Sequence, residues 1–287
     1  MPLILGTRNS KLAMIQANMV KQRLEALGKD VEIRPFVSSG DLNKKIPLYK
    51  MSSTGVFVDE LNTKIINGEI DIAVHSSKDI PSYIDEKLEI SAVLKRDDYR
   101  DVLISHKPLS EMGGEESIGT SSMRRIMELH TVNPDVQVKD IRGNIDTRLL
   151  KYMRRNFDGI IMAKAAYDRM KLDTEHYVLE EDQFVPSPNQ GIIAIVSRKD
   201  SEISGLMKEI NDKDTYEDME LERCLVNELK LGCSMPVGIL SHNKQLLARF
   251  YSLKSGEYAD FHFTIFNKAE IINTVKKAIK NYGYADR

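Results

Sequence analysis

Asp79 and Cys233 are the two residues of this chain whose type and setting point most directly to chemistry. Asp79 lies in the segment Asp71–Pro81. There an apolar run (Ile70, Ile72, Val74) opens at once into His75, Ser76, Ser77, Lys78 and Asp79, and Pro81 prevents the strand from continuing. Ionisable groups gathered at the carboxyl end of a core strand occupy the place where open α/β sheets hold their ligands. The strand fixes the backbone, and the loop aims Lys78 and Asp79 outward. Cys233 stands in Leu231–Pro236, a turn just after a helix. A structural cysteine more commonly sits on an apolar helical face, as Cys224 does beside Leu221 and Leu225. Cys233 is therefore either a nucleophile or attachment point, or a second structural thiol. His75 is read as a buried, hydrogen-bonded residue. The sequence carries neither HExxH nor CxxC, so no metal site is expected.

Arginines form the second chemical signal. Arg8, Arg124, Arg125, Arg142 and Arg148 all stand beside glycine-containing turns where strands lead into helices. Helix N-termini attract anions through unpaired amides and the helix dipole, and arginine adds a planar fork suited to carboxylate or phosphate. Arg124 and Arg125 lie in a first helical turn, which is unfavourable unless an anion is near. Neither GxxxxGK[ST] nor GxGxxG after a strand is present, so nucleotide binding is not supported. Arginine loops without a phosphate loop point to a ligand with several carboxylates, each charge-assisted bond contributing roughly 1.5–3 kcal/mol.

These residues need elements to position them, and strand-loop-helix alternation supplies them. Leu3–Leu5 reads as a strand. A helix follows it to Gly28, with Leu12, Ile15, Met19 and Leu24 on its inner face, and Val31–Val37 is the next strand. The pattern dissolves near Lys95–Gly114 and then resumes with strands at Val136–Ile141 and Gly159–Ala163. Ile192–Val196 is an apolar strand placed to return to the first domain. From about residue 215 the texture changes to a long helix, two strand-like runs and a last helix. The fold class is α/β with mainly parallel sheets and a small α+β C-terminal domain. Residues 1–97 and 188–213 form domain 1, 98–187 domain 2 and 214–287 domain 3. No internal repeat is evident.

Composition narrows the function classes. A 41% hydrophobic content over 287 residues supports real cores. A net charge of −2 gives nucleic acid no global attraction, and no apolar run approaches the roughly 20 residues that cross a bilayer. Two cysteines make no disulfide framework, and the N-terminus lacks a signal-peptide pattern. A soluble protein of the reducing cytoplasm is expected.

Thr7–Ser10, Gly55–Phe57, Asp71–Pro81, Gly119–Arg125, Arg142–Arg148, Asn189–Gly191 and Gly232–Pro236 occur in the order seen in hydroxymethylbilane synthases, also called porphobilinogen deaminases. The chain closely resembles that family over essentially its whole length. The resemblance implies two periplasmic-binding-protein-like domains with a cleft between them, plus the small third domain. It implies a dipyrromethane cofactor held as a thioether on Cys233, a bond that suits a soft thiolate nucleophile. Four porphobilinogen units are then added with loss of ammonia, and water releases 1-hydroxymethylbilane. Asp79 is the implied catalytic residue, a carboxylate that accepts pyrrole N–H bonds and stabilises developing positive charge. Lys78, Ser122, Arg124 and Arg125 are the implied cofactor contacts. Arg8, Ser10, Lys50, Phe57, Thr120, Ser121, Arg142, Arg148 and Gln190 are the implied substrate contacts. A monomer is implied, with its product passing to uroporphyrinogen-III synthase.

The chain departs from the family pattern at three positions. Thr54 stands where many members carry a second lysine, Leu231 where a glycine often precedes Gly-Cys, and Asn189 where glycine is frequent. Asparagine tolerates left-handed backbone angles, so the last change is mild. A non-catalytic cleft binder of a polycarboxylate is the competing reading; it would need the arginines but neither Asp79 nor Cys233. A regulator would need a helix-turn-helix segment, and the N-terminus opens on a strand instead.

Overall fold

The computed structural model describes residues 1–37, 56–229, 235–252 and 255–281. Lys50, Thr54, Leu231, Cys233 and the side chain of Phe57 lie outside the described residues. The chain opens with β1 (Leu3–Arg8), α1 (Lys11–Ala26), β2 (Val31–Phe36), α2 (Val56–Asn67), β3 (Ile72–Ser76) and β4 (Leu88–Val93). It continues through β5 (Asp101–Ser105), β6 (Ser117–Gly119), α3 (Met123–Val132), β7 (Gln137–Lys139), α4 (Ile145–Met153), β8 (Gly159–Ala163), α5 (Lys164–Arg169) and β9 (His176–Leu179). The last elements are β10 (Ile193–Arg198), α6 (Glu202–Met207), α7 (Lys213–Glu228), β11 (Val237–His242), β12 (Gln245–Tyr251), β13 (Tyr258–Thr264) and α8 (Lys268–Asn281). Two compact units result, one of Met1–Asp97 with Gly191–Glu217 and one of Asp98–Gln190 with Asp218–Arg287.

The first unit holds a five-stranded sheet in the order β2-β1-β3-β10-β4. β1 runs parallel to β2 and β3, whereas β10 is antiparallel to both of its neighbours. The second unit holds a sheet in the order β7-β6-β8-β5-β9, in which β5 is the reversed strand. The two orders are one pattern used twice, with one strand in each sheet running against the rest. No sequence repeat announces this, because topology constrains where apolar residues fall rather than which ones they are. A three-stranded antiparallel sheet, β11-β12-β13, completes the second unit.

In α1 the inner face differs from the one expected. Gln16, Ala17, Val20 and Leu24 are buried, while Leu12, Ile15 and Met19 are only partly so. Ala17 and Val20 join Leu5, Ile72, Val74 and Ile195 in the core of this unit. The helix is turned by about one residue because Gln16 finds a partner inside, where its Nε2 donates to Ser76 Oγ at 2.9 Å. In the second sheet, Leu103 faces a core with Ile118, Leu129 and Phe184, and Val102 and Ile104 face another with Ile141, Leu149 and Met162. Apolar cover on both faces explains why β5 reads as an uninterrupted apolar run after its first residue.

Within the second unit, β11 lies close against the segment that precedes β10. Ile239 N donates to Pro186 O at 2.9 Å, and a Cβ at Gly238 would stand 2.6 Å from both Val185 Cβ and Val185 O. Arg249 of β12 donates to Gln183 O and Asp182 O and is paired with Asp260. Gly238→Ala is therefore expected to destabilise the protein by about 1–3 kcal/mol, the usual cost of overpacking a close contact. Thermal denaturation checks this, and an unchanged midpoint would show that the β11 contact can relax.

Candidate functional site

In the first unit the carboxyl ends of β1 and β3 present the candidate residues. Thr7 is fully buried, and Ser10 caps α1 by accepting Ala13 N at 3.3 Å. A hydroxyl that accepts in a cap keeps its own proton to donate elsewhere. β3 is buried through His75, and a single 3-10 turn, Ser77–Asp79, then carries the chain outward. Ser77 is fully buried and its N–H donates to Ile192 O at 2.9 Å, so the turn is anchored to the chain entering β10. Lys78 and Asp79 follow it as exposed side chains. A rigid strand thus ends in a carboxylate held out from the sheet.

His75 lies directly beneath this turn and is 5% exposed, with no hydrogen-bond partner at Nε2. The hydrogen-bonded role expected for it is thus not met at that nitrogen. Burial, with the Arg8 charge adding to it, pushes its pKa from 6.5 down to about 4. The imidazole is therefore neutral at physiological pH.

In the second unit the loops after β6 and β7 gather the remaining candidates. Thr120 is buried, and its Oγ1 accepts Ser122 N at 3.3 Å. The Ser121 hydroxyl lies 2.5 Å from both Asp140 Oδ1 and Ile141 O, and Ile141 N donates to it at 3.2 Å. It ties two loops together while remaining exposed. Ser122 begins α3 without a side-chain cap, unlike Ser10 on α1 and Asn144 on α4. The free amides of α3 are consequently left for another acceptor.

Arg124 and Arg125 are placed differently from their sequence reading. They are 4% and 7% exposed. Arg125 grips Asp101 with two donors, Nε at 3.1 Å and Nη2 at 2.7 Å, and Arg124 Nη2 donates to the same carboxylate at 2.7 Å. Arg124 Nη1 reaches Glu128 Oε2 at 2.7 Å and Val185 O at 2.9 Å. The anion demanded by arginines in a first turn is therefore internal, and the inference that it must come from a ligand is corrected. Burial works to raise the Asp101 pKa, but the two guanidiniums overcome it and hold the group well below the usual carboxylate range. Glu128 shares only Arg124, and burial pushes it up to about 8.

Gln190 is fully buried, and its Nε2 donates to Tyr99 O at 2.8 Å and to Asp101 Oδ1 at 2.8 Å. Its amide nitrogen is engaged by these internal bonds. Asn189 adopts φ +62, the left-handed conformation anticipated for it, and its N–H donates to the buried Glu222.

Arg142 and Arg148 remain near the surface. Arg142 Nε donates to Asp140 at 3.1 Å and is about one-third exposed. Arg148 Nε donates to Gly143 O at 2.8 Å, a neutral acceptor. Burial and the neighbouring Arg125 charge hold the Arg148 guanidinium below its usual value. A cation in that position gains from any carboxylate brought to it. Asp101, Glu128, Asp140 and Gln16 were missed by sequence reasoning. Asp101 could have been found as the lone acid opening an apolar strand, and Glu128 as the acid four residues after Arg124.

Among the described residues no cluster of histidine, cysteine and acids could hold a metal ion, and no helix is long and apolar enough to cross a membrane. Cys224, expected in the core, is half-buried, and burial raises its thiol pKa.

The neutral histidine has a measurable consequence. Its folded pKa lies below its unfolded one, so between about pH 6.5 and 4 the unfolded chain binds a proton that the native one refuses, and stability falls by roughly 3 kcal/mol across that window. His75→Gln should remove this component. The difference in melting temperature between variant and wild type should shift in favour of the variant as pH falls from 6.5 to 4. A difference independent of pH would show that His75 titrates normally.

Comparison with known proteins supplies the context for this geometry. A family model described as "Porphobilinogen deaminase, dipyromethane cofactor binding domain" matches residues 3–204. A probable porphobilinogen deaminase of Picrophilus torridus is 56% identical over 284 residues, covering 99% of this chain and 100% of the relative. Its counterpart in Thermoplasma volcanium is 44% identical, covering 99% of this chain and 98% of the relative. That of Thermoplasma acidophilum is 46% identical, covering 90% and 88%. Among solved structures, the periplasmic aliphatic sulphonate binding protein SsuA from Escherichia coli is similar at 10% identity with a TM-score of 0.43, covering 80% of this chain and 70% of that one. The chain belongs to the porphobilinogen deaminase family.

Proposed function

We propose that the chain is a hydroxymethylbilane synthase. It would join four porphobilinogen molecules, with loss of ammonia, to a dipyrromethane carried on Cys233, and release 1-hydroxymethylbilane by hydrolysis. The observation that carries this reading is the arginine corner of the second unit. Arg148, half-buried and repelled by Arg125, lies with Arg142 beside an α3 N-terminus that no side chain caps. Acetate and propionate groups, which every porphobilinogen unit bears, are the anions such a corner accepts. The same residues fit dipyrromethane, which carries the same substituents. When bound it would supply a free pyrrole position for the first incoming unit, each added unit then offering the next.

The remaining work falls to the chain's own side chains. Asp79, exposed at the end of a rigid strand, accepts pyrrole N–H bonds and balances positive charge as ammonia leaves. A carboxylate can do both and can hold a proton between steps, which an amide or an ammonium cannot. Lys78 beside it, with Arg8 and the Ser10 hydroxyl, takes substrate carboxylates on the first unit. Arg142, Arg148 and Ser122 take them on the second. Arg124 and Arg125 contribute positive potential from behind, because Asp101 and Glu128 already occupy their forks. Lys50 and Phe57 keep the substrate-side roles that the family resemblance gives them.

The intact mass of the denatured protein tests the cofactor assignment. Protein made in cells supplied with porphobilinogen should carry one dipyrromethane, kept in Cys224→Ala and lost in Cys233→Ala. An unmodified wild-type mass would sink it. Asp79→Asn should keep both the adduct and the melting temperature yet release ammonia at least about 100-fold more slowly, the usual scale for losing a positioned acid–base group. Turnover within a few-fold of wild type would remove Asp79 from the chemistry.

A further inference from the structure

Asp101 has no place in the reaction proposed above, yet two separate segments of the second unit converge on it. Its Oδ1 accepts Arg125 Nη2 and Gln190 Nε2, and its Oδ2 accepts Arg124 Nη2 and Arg125 Nε. The carboxylate is fully buried at the first residue of β5 and is paired in register with Ala163 and Leu179. It therefore sits on a strand that is paired on both sides. The arginines it holds lie in the first turn of α3, one residue after Thr120, Ser121 and Ser122. Each guanidinium has a further internal tether, Arg125 to Ile161 O at 3.3 Å and Arg124 to Val185 O at 2.9 Å.

We propose that Asp101 is the positioning residue of the anion corner: it neutralises and orients Arg124 and Arg125 so that α3 keeps its N-terminus beside Arg148. The inference rests on the reading of this corner as the carboxylate-binding side of the synthase. Arg125 and Arg148 repel one another, and with Arg124 they place three cations at one end of the unit. Without an internal counter-charge these cations would separate, and burying them unpaired is costly. The Asp101 carboxylate removes that cost from inside and leaves the outer face for the ligand. Because it is bound to both arginines and to Gln190, it also ties the α3 turn to the chain at residues 99–101 and 190.

Asp101 reaches substrate only through the arginines, so its loss should weaken binding more than chemistry. In Asp101→Asn, which keeps the shape but not the charge, KM for porphobilinogen should rise about tenfold or more while kcat stays within about threefold of wild type. A variant with lowered melting temperature but wild-type KM would reduce Asp101 to a structural role and overturn the proposal. Glu128→Gln, which touches Arg124 alone, should leave KM within about twofold; an equal rise there would overturn the special place of Asp101.

Citrate binding, followed by thermal shift, separates this inference from the proposed function. Wild-type protein should be stabilised by citrate, and Asp101→Asn should lose that stabilisation, whether or not porphobilinogen is consumed. Inert wild-type protein that shows this citrate difference would sink the synthase reading and keep the positioning role. Equal citrate shifts in both proteins would sink the positioning role. Should Asp101→Asn fail to fold, Gln190→Leu carries the test. It removes one bond from Asp101 Oδ1 and leaves both ion pairs, and KM should rise about threefold; an unchanged KM would overturn the proposal.

Discussion

The second unit depends on one fully buried carboxylate. Asp101 is bonded to two arginines and a glutamine, and Arg124 extends the cluster to Glu128. Removing one partner from such a cluster costs about 3–5 kcal/mol, because the charges left behind are buried without compensation. The same cluster replaced wholesale by apolar residues would cost little. Its value therefore lies in arrangement more than in stability. It anchors the first turn of α3 from inside, while Thr120 and Ser121 just before that turn are held by Lys139 O and by Asp140 and Ile141.

The two acids of the cluster illustrate how position decides charge. Both are buried, and burial alone would neutralise either. Asp101 meets two guanidiniums and stays ionised, while Glu128 shares one of them and is pushed up to about 8. Stability tied to Glu128 is thus present below its unfolded value and fades as pH rises toward 8. His75 in the first unit works in the opposite sense, since its burial as a neutral ring costs stability as pH falls toward 4. The two groups therefore have opposed pH responses, and their losses balance at mildly acidic pH, between the unfolded values of the two side chains.

Much of this was legible in the sequence, and what failed did so for physical reasons. The strand ending at Asp79 is plain because apolar alternation stops at a run of polar residues and a proline. The left-handed Asn189 is plain because few other residues accept that backbone. The internal partners of Arg124, Arg125, Ser121 and Gln190 were not legible, because a sequence displays a polar side chain without displaying its partner. An arginine beside a glycine turn looks the same whether its carboxylate belongs to a ligand or to a strand 24 residues away. The repeated sheet pattern was hidden for a related reason. Strand order is set by which edges pair, and the reversed strands β5 and β10 come from distant parts of the chain.

Those partners sharpen the division between what holds and what is held. Ser121, Gln190, Arg124 and Arg125 have their polar groups met inside the protein and are buried or doubly bonded. Of the residues proposed to face the ligand, Asp79 and Lys78 are exposed, Arg148 is bonded to a neutral carbonyl, and Arg142 is partly exposed and paired with the surface carboxylate of Asp140. Under the proposed function, a ligand that grows by whole pyrrole units cannot be met by a rigid set of complementary bonds at every length. It can be met by a few outward cations whose positions are fixed from behind, each able to exchange one carboxylate for the next. In the proposed arrangement the buried Asp101 serves this indirectly: it neutralises Arg124 and Arg125 from inside, which leaves Arg142 and Arg148 to meet the ligand. A surface carboxylate in the same place would hold them equally well and block the ligand.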